Sequence, residues 1–293
     1  MDDVPTRYHP AWWIPGGHAQ TLWGKVIRRQ KAIPTRVERW ETPDDDILEV
    51  HRLDASGNSA QDAPHVLLLH GLEGTVRSHY AQGLLGEMHR RGWSADLLIW
   101  RSCGSEPNRA RRFYHSGETQ DLDLVVKRIV HERPNSLLGI AGVSRVGNLR
   151  LKYLGEMGEA ARSFIVAAAA VSVPFDLRRG SDYIHRGFSR KYQKYFLDSL
   201  KQKAFEKQSR YPDLPSPQQV GTIESLRAFD DTITAPVHGF RDAIDYYERS
   251  SSIHYLMDVA VDTLLLNALD DPFLPPDILD DVARIAVANP RIT

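Results

Sequence analysis

The chain has 293 residues, a length that suits one large α/β domain with an inserted segment better than two independent domains. Hydrophobic residues make up 42% and charged residues 26%, an ordinary globular balance, and a formal net charge of -1 gives no global field for nucleic acid or an anionic membrane. The single cysteine, Cys103, excludes an internal disulfide and a thiolate metal site and fits a reducing, cytoplasmic setting.

The N-terminus, MDDVPTRYHP, has no basic stretch followed by an apolar one, so no signal peptide is expected. No run of about 18 apolar residues occurs, so no transmembrane helix is expected. Residues 1–35 are rich in Pro, Gly and Trp and read as an ordered arm rather than a helix. Trp12 and Trp13 offer peripheral membrane contact, but packing of the arm onto the core is the simpler reading. Residues 36–53 alternate as a β-hairpin with its turn at Pro43–Asp46, and a polar linker, SGNSAQDAP, follows.

From there the rhythm changes. HVLLLH (65–70), WSADLLIW (93–100), SLLGIAGV (136–143), FIVAAAAVSV (164–173) and TLLLNA (263–268) are short apolar runs of the kind buried on both faces of a sheet. Helical stretches separate them at 79–91, 118–132 and 148–159. Strands alternating with helices predict βαβ units and a mostly parallel central sheet with helices on both faces. No strong strand appears from residue 174 to about 260, and 182–211 is helical, basic and aromatic, so this stretch reads as a helical lid insertion. Its Lys/Arg/Tyr stripe reads as a solvated face, since acids are interspersed, and not as a nucleic-acid surface.

Three turns carry chemistry. Gly142-Val143-Ser144-Arg145-Val146-Gly147 follows the third run, where a strand passing through a small-residue turn into a helix makes a nucleophile elbow. Small residues are expected two places either side of the serine. Gly142 fills one slot and Val146 the other, where strain is expected. His70-Gly71-Leu72-Glu73-Gly74 follows the first run and would supply the backbone N–H of Leu72 to an oxyanion, with that of Arg145 as its partner. Asn267-Ala268-Leu269-Asp270-Asp271-Pro272 follows the fifth run, where the acid of a Ser–Asp–His order belongs; Asp271 is favoured over Asp270, and either could instead cap a helix starting near Pro276. The general base should come after the acid, yet the last histidine is His254, and VANPRIT at 287–293 reads as the opening of one more parallel strand.

GGHAQTLWG (16–24), HGLEGTVRSHYAQGL (70–84), RSCGSEPNRARRFYHSGETQDL (101–122), TAPVHGF (234–240) and NALDDPFLP (267–275) together resemble the YheT-like branch of the α/β-hydrolases, esterases by expectation and related to animal abhydrolase-domain lipases. The resemblance implies an α/β-hydrolase fold over residues 1–293 and hydrolysis of short-chain or monoacylglycerol-like esters without metal or cofactor. It carries over Ser144 as nucleophile and Asp271 as acid. The branch usually has S-L-G-G-N where this chain has Ser144-Arg145-Val146-Gly147-Asn148, and its C-terminal G-G-H segment is absent, so the C-terminal end reads as truncated. The alternative is a catalytically impaired relative that binds a lipid-like ligand or a partner. His79 is the nearest substitute base by family layout, although packing or substrate contact is simpler. His115 and His238 read as structural hydrogen-bond partners, His18 as an anchor of the arm, and Cys103 as a small buried residue with no positive neighbour beyond Arg101.

Overall fold

A computed structural model describes residues 10–27, 31–56 and 63–293; most of the polar linker (57–62) and the first nine residues of the arm lie outside the described residues. The arm contains helix α1 (Gly16–Val26), contrary to the expectation of irregular chain. Two glycines at its start concealed it, but Pro15 at the N-cap is extended and AQTLW is a competent helical run. The hairpin forms as strands β1 (Arg36–Glu41) and β2 (Ile47–Leu53). The alternating segment then gives β3 (His65–Leu69), α2 (His79–Arg91), β4 (Ser94–Ile99), α3 (Thr119–Glu132), β5 (Leu138–Val143), α4 (Arg145–Met157) and β6 (Ile165–Val171).

Six helices follow before the next strand: α5 (Leu177–Ile184), α6 (Arg190–Gln208), α7 (Pro217–Gly221), α8 (Leu226–Phe229), α9 (Ala235–His238) and α10 (Ala243–Ser250). Strand β7 (Thr263–Leu266) and helix α11 (Asp277–Ala288) complete the chain. The sheet order is β1-β2-β4-β3-β5-β6-β7, antiparallel at β1/β2 and β2/β4 and parallel elsewhere. The last three residues extend it. Ile292 bridges Thr263 in parallel register, and the Leu265 N–H donates to the Thr293 carbonyl at 2.8 Å, as the reading of 287–293 anticipates.

Alternation along the strands sorts the core into two layers. Leu67, Leu69 and Leu98 face α3, α4 and α11, whereas Leu68, Leu97 and Ile99 face Ala81, Leu85 and Met88 of α2. Helices therefore cover both faces of a mostly parallel sheet. Val166, Leu264 and Leu266, on β6 and β7, are exposed. Among the described residues, no helix is long and apolar enough to cross a membrane. β3, β5, β6 and β7 end at the same edge of the sheet, which is where a doubly wound architecture places ligands.

Candidate active site

β5 turns into α4 at Ser144, whose backbone has φ 61° and ψ -136°. A non-glycine residue held there costs on the order of 1–3 kcal/mol, and the surroundings over-determine it. The Ser144 N–H donates to the Val171 carbonyl at the end of β6 (2.8 Å), and its own carbonyl accepts from Gly147 N–H (2.8 Å). Val146, the expected place of strain, lies in the first turn of α4. Its side chain is 1% exposed and packs in the core, and the close approach is made by Gly147, where an added β-carbon would lie 2.7 Å from Val173 Cγ2.

The loop after β3 lies against this turn: a β-carbon on Gly71 would stand 3.0 Å from Ser144 Cβ. Its amides are distributed unevenly. Gly71 N–H donates to Tyr80 Oη (2.8 Å), Glu73 N–H to Tyr114 Oη (3.0 Å) and Gly74 N–H to the Gly71 carbonyl (3.0 Å). That leaves Leu72 N–H with no partner among the described residues, and Arg145 N–H, at the first position of α4, likewise has none. His70 is locked: one ring nitrogen contacts the Gly71 carbonyl (2.8 Å), the other accepts from Trp100 N–H (3.2 Å), and burial pulls its pKa down to about 4.

The loop after β7 is pinned by Asn267 Oδ1, which accepts from Val173 N–H at 3.2 Å. Asp271 is buried, accepts from Phe273 N–H (2.9 Å), and has its carboxyl pushed up by burial and by neighbouring Asp270. Asp270 faces outward beneath Gly17. Neither aspartate caps α11, which starts after Pro276 without a side-chain cap. Ser144 and the acid loop follow strands separated by β6 alone, so the ends of those two strands lie roughly 10 Å apart.

The insertion is tied to this region by residues the sequence did not single out. Glu73 accepts from Lys203 Nζ (2.8 Å), Ser199 Oγ and Tyr114 Oη (3.1 Å). Arg145 sends its guanidinium to Ser116 Oγ and Tyr246 Oη (3.0 Å), beside a small pocket that it lines with Phe113, Leu200, Lys203 and Phe229. The α6 stripe is thus not simply solvated: Lys203 and Lys207 point inward, and Lys207 Nζ donates to Asn108 Oδ1 (2.7 Å). Cys103 also has a positive neighbour unseen in sequence, Lys203 Nζ at 3.2 Å, although burial still pushes its thiol up. The 101–122 block is largely structural: Arg101 is fully buried among Asp44, Asp46 and Asp121.

The remaining histidines have distinct settings. His79 opens α2 beneath α1, with Nε2 2.9 Å from where a Gly24 β-carbon would be. His18 pairs with Tyr192 Oη (3.3 Å), as the reading of an anchor anticipates. His115 and His238 lie with ring centroids 4.3 Å apart, and with Glu118 their ligand atoms all fall within 4.8 Å. A metal does not fit this trio. His115 Nδ1 accepts from Gly117 N–H, which places the ring proton on the Nε2 that faces Glu118 at 3.6 Å, so that nitrogen has no lone pair to offer. The expectation that both rings are structural hydrogen-bond partners fails for the Nε2 of His238, which is buried with no partner among the described residues.

No family model matches the chain. YheT of Escherichia coli, which bears the name of an esterase, is 37% identical over 264 residues, covering 89% of this chain and 77% of that protein. The mouse protein named phospholipase ABHD3 is 29% identical over 294 residues, covering 99% of this chain and 71% of its own. An esterase of Pyrococcus furiosus, 14% identical in sequence, superposes with a TM-score of 0.55 over 88% of this chain and 79% of its own, which shows the shared fold. Sheet, elbow and relatives lead to one conclusion: the chain belongs to the YheT-like family of the α/β-hydrolase fold, and its relatives include proteins named as esterases and lipases.

Proposed function

We propose that this protein hydrolyses carboxylic esters of short-chain or monoacylglycerol-like type, with Ser144 as the nucleophile. The observation that carries the reading is the strained backbone of Ser144 at the end of β5, against Gly71. In this reading Ser144 Oγ attacks the ester carbonyl, and the N–H groups of Leu72 and Arg145 receive the negative charge that develops on its oxygen. The alcohol departs with a proton, and water releases the acid from Ser144. The serine proton needs a carrier, a histidine oriented by Asp271 in a Ser–His–Asp mechanism.

Residues 271–293 contain no histidine. Residues 1–293 by themselves are therefore expected to turn over slowly, on oxyanion stabilisation and binding alone, about 10³–10⁴-fold above water. The test is p-nitrophenyl ester release and fluorophosphonate labelling by this chain and by Ser144→Ala. Slow turnover and faint labelling, both lost in the variant, are expected. Turnover that survives Ser144→Ala sinks the reading. Appending a strand and G-G-H loop after Thr293 is expected to raise Ser144-dependent turnover by about 10²–10⁴-fold.

A second reading, that the chain binds a lipid-like ligand or a partner without turning it over, is favoured by Asp271, a buried carboxylate whose hydrogen-bond donor is the Phe273 amide rather than an imidazole. Ligand-induced stabilisation without Ser144-dependent turnover would select it.

A further inference from the structure

We propose that α1 and its surroundings form a docking surface for a lipid surface carrying anionic headgroups, placed beside the acid loop. Eight of the fifteen exposed large apolar side chains among the described residues belong to α1, its flanks and the segments it touches. Trp12 (87% exposed), Trp13 (58%) and Trp23 (43%) present three indoles to solvent, joined by Val26, Ile27 and Leu269. The expectation that Trp12 and Trp13 pack the arm onto the core is therefore overturned.

Three contacts fix α1 in this place. Gly17 packs on the acid loop, where an added β-carbon would lie 3.2 Å from Asp270 Cγ, and Gly24 packs on His79 at the start of α2. On the insertion side, His18 meets Phe188 (centroids 4.7 Å apart) and Tyr192, whose ring lies 4.9 Å from Phe273, two residues beyond Asp271. The apolar patch thus borders the same loop that carries the buried aspartate. α1 itself has no buried residue, so its exposed side has little to do with holding the fold.

The chemistry of the patch selects the occupant. Indole rings have an apolar body and a polar N–H and prefer the boundary between hydrocarbon and water. Cations sit among the rings: Lys25 Nζ lies 3.6 Å above the centroid of Tyr195 and Lys191 Nζ 4.7 Å above that of Phe188. Of the described residues from 16 to 31, Lys25 and Lys31 are cationic and none is acidic, so this segment is locally basic in a chain whose net charge is -1. Aromatic residues interleaved with cations match an interface of acyl chains under anionic headgroups. The inference concerns binding and does not require turnover at Ser144.

Sedimentation with vesicles of phosphatidylcholine, with and without phosphatidylglycerol, tests it. The wild-type chain is expected to pellet with the mixed vesicles, with blue-shifted tryptophan emission and weaker binding at high salt. Trp12→Ser, Trp13→Ser and Trp23→Ser combined should weaken partition at least about tenfold while leaving circular dichroism unchanged. Leu264→Ser with Leu266→Ser, on the exposed sheet face, should leave it unchanged. The inference is overturned if the wild type stays in the supernatant with both vesicle types, or if the triple variant binds as well. It is equally overturned if the sheet-face variant abolishes binding, or if the patch is consumed by a concentration-dependent dimer that the triple variant dissolves.

Discussion

Gly71 and Ser144 are in direct contact across the edge of the sheet, with the built Gly71 β-carbon 3.0 Å from Ser144 Cβ and 3.2 Å from the Val143 carbonyl oxygen. Neither neighbour can retreat easily, because Ser144 is held by its bond to Val171 and Gly71 by Tyr80. Gly71→Ala should therefore move the loop that carries Leu72 N–H. On the proposed mechanism, loss of one oxyanion donor costs about 10²–10³ in rate, whereas overpacking costs about 1–3 kcal/mol of stability. The expected result is Ser144-dependent ester release reduced at least about tenfold at a temperature well below the melting transition. Undiminished release would mean that the loop after β3 does not contribute to the reaction.

The same loop is clamped from above. Glu73 is nearly buried, and Lys203 of α6 is its cation at 2.8 Å. Lys203→Met would leave a carboxylate without its charge partner, which costs about 3–5 kcal/mol where the partner is buried. Adding Glu73→Gln should restore at least about 1 kcal/mol, because the orphaned charge is then gone. Urea denaturation of the two single variants and the double variant measures this, and purely additive losses would show that the pair is not coupled.

Much of this arrangement was legible in the sequence because its signals are local. The five parallel strands are short apolar runs, and Ser144, Leu72 and Asp271 each sit one turn beyond such a run. α1 was not legible, since Gly16 and Gly17 start it and its stability comes from contacts with residues 79, 188 and 270. Lys203 was hidden for the same reason: its partners Glu73 and Cys103 are 130 and 100 positions away. The close approach of Gly147 to Val173 was hidden too, because Val173 lies beyond β6.

Arg150 is an opportunity for stabilisation. Its side chain is fully buried in α4, it donates to the carbonyls of Ile140 and Ala169, and Nε and Nη2 have no partner among the described residues. No carboxylate among the described residues accompanies it, and burial pulls it down to about 9. Each unsatisfied polar atom costs about 1–3 kcal/mol. Arg150→Met keeps most of the volume and removes the charge, so it should stabilise the fold by about 1–4 kcal/mol. Thermal unfolding should shift upward by about 2–4 °C per kcal/mol. A lower transition would show that the two carbonyl contacts outweigh the desolvation.

Buried histidines work against the fold in acid, alongside the ion-paired carboxylates Asp44, Asp46 and Asp96, which are held low and lose their partners' support as pH falls. Burial lowers His70 to about 4 and His238 to about 3, and places His115 well below its ordinary value. A folded pKa below the unfolded value of about 6.5 means that protonation favours the unfolded chain. The stability these rings allow is complete above about pH 6.5 and is lost as pH falls from there through 4, by up to about 1.4 kcal/mol per pH unit for each ring. Asp271 and Glu118, both raised by burial, act in the opposite direction, losing stability as pH rises. His238 provides the clean test because its Nε2 has no partner among the described residues to lose. His238→Phe should match or exceed the wild type at pH 7 and lose less stability between pH 6.5 and 4.5, as read from urea midpoints. Identical slopes for the two proteins would mean that His238 is protonated as readily in the folded chain as in the unfolded one.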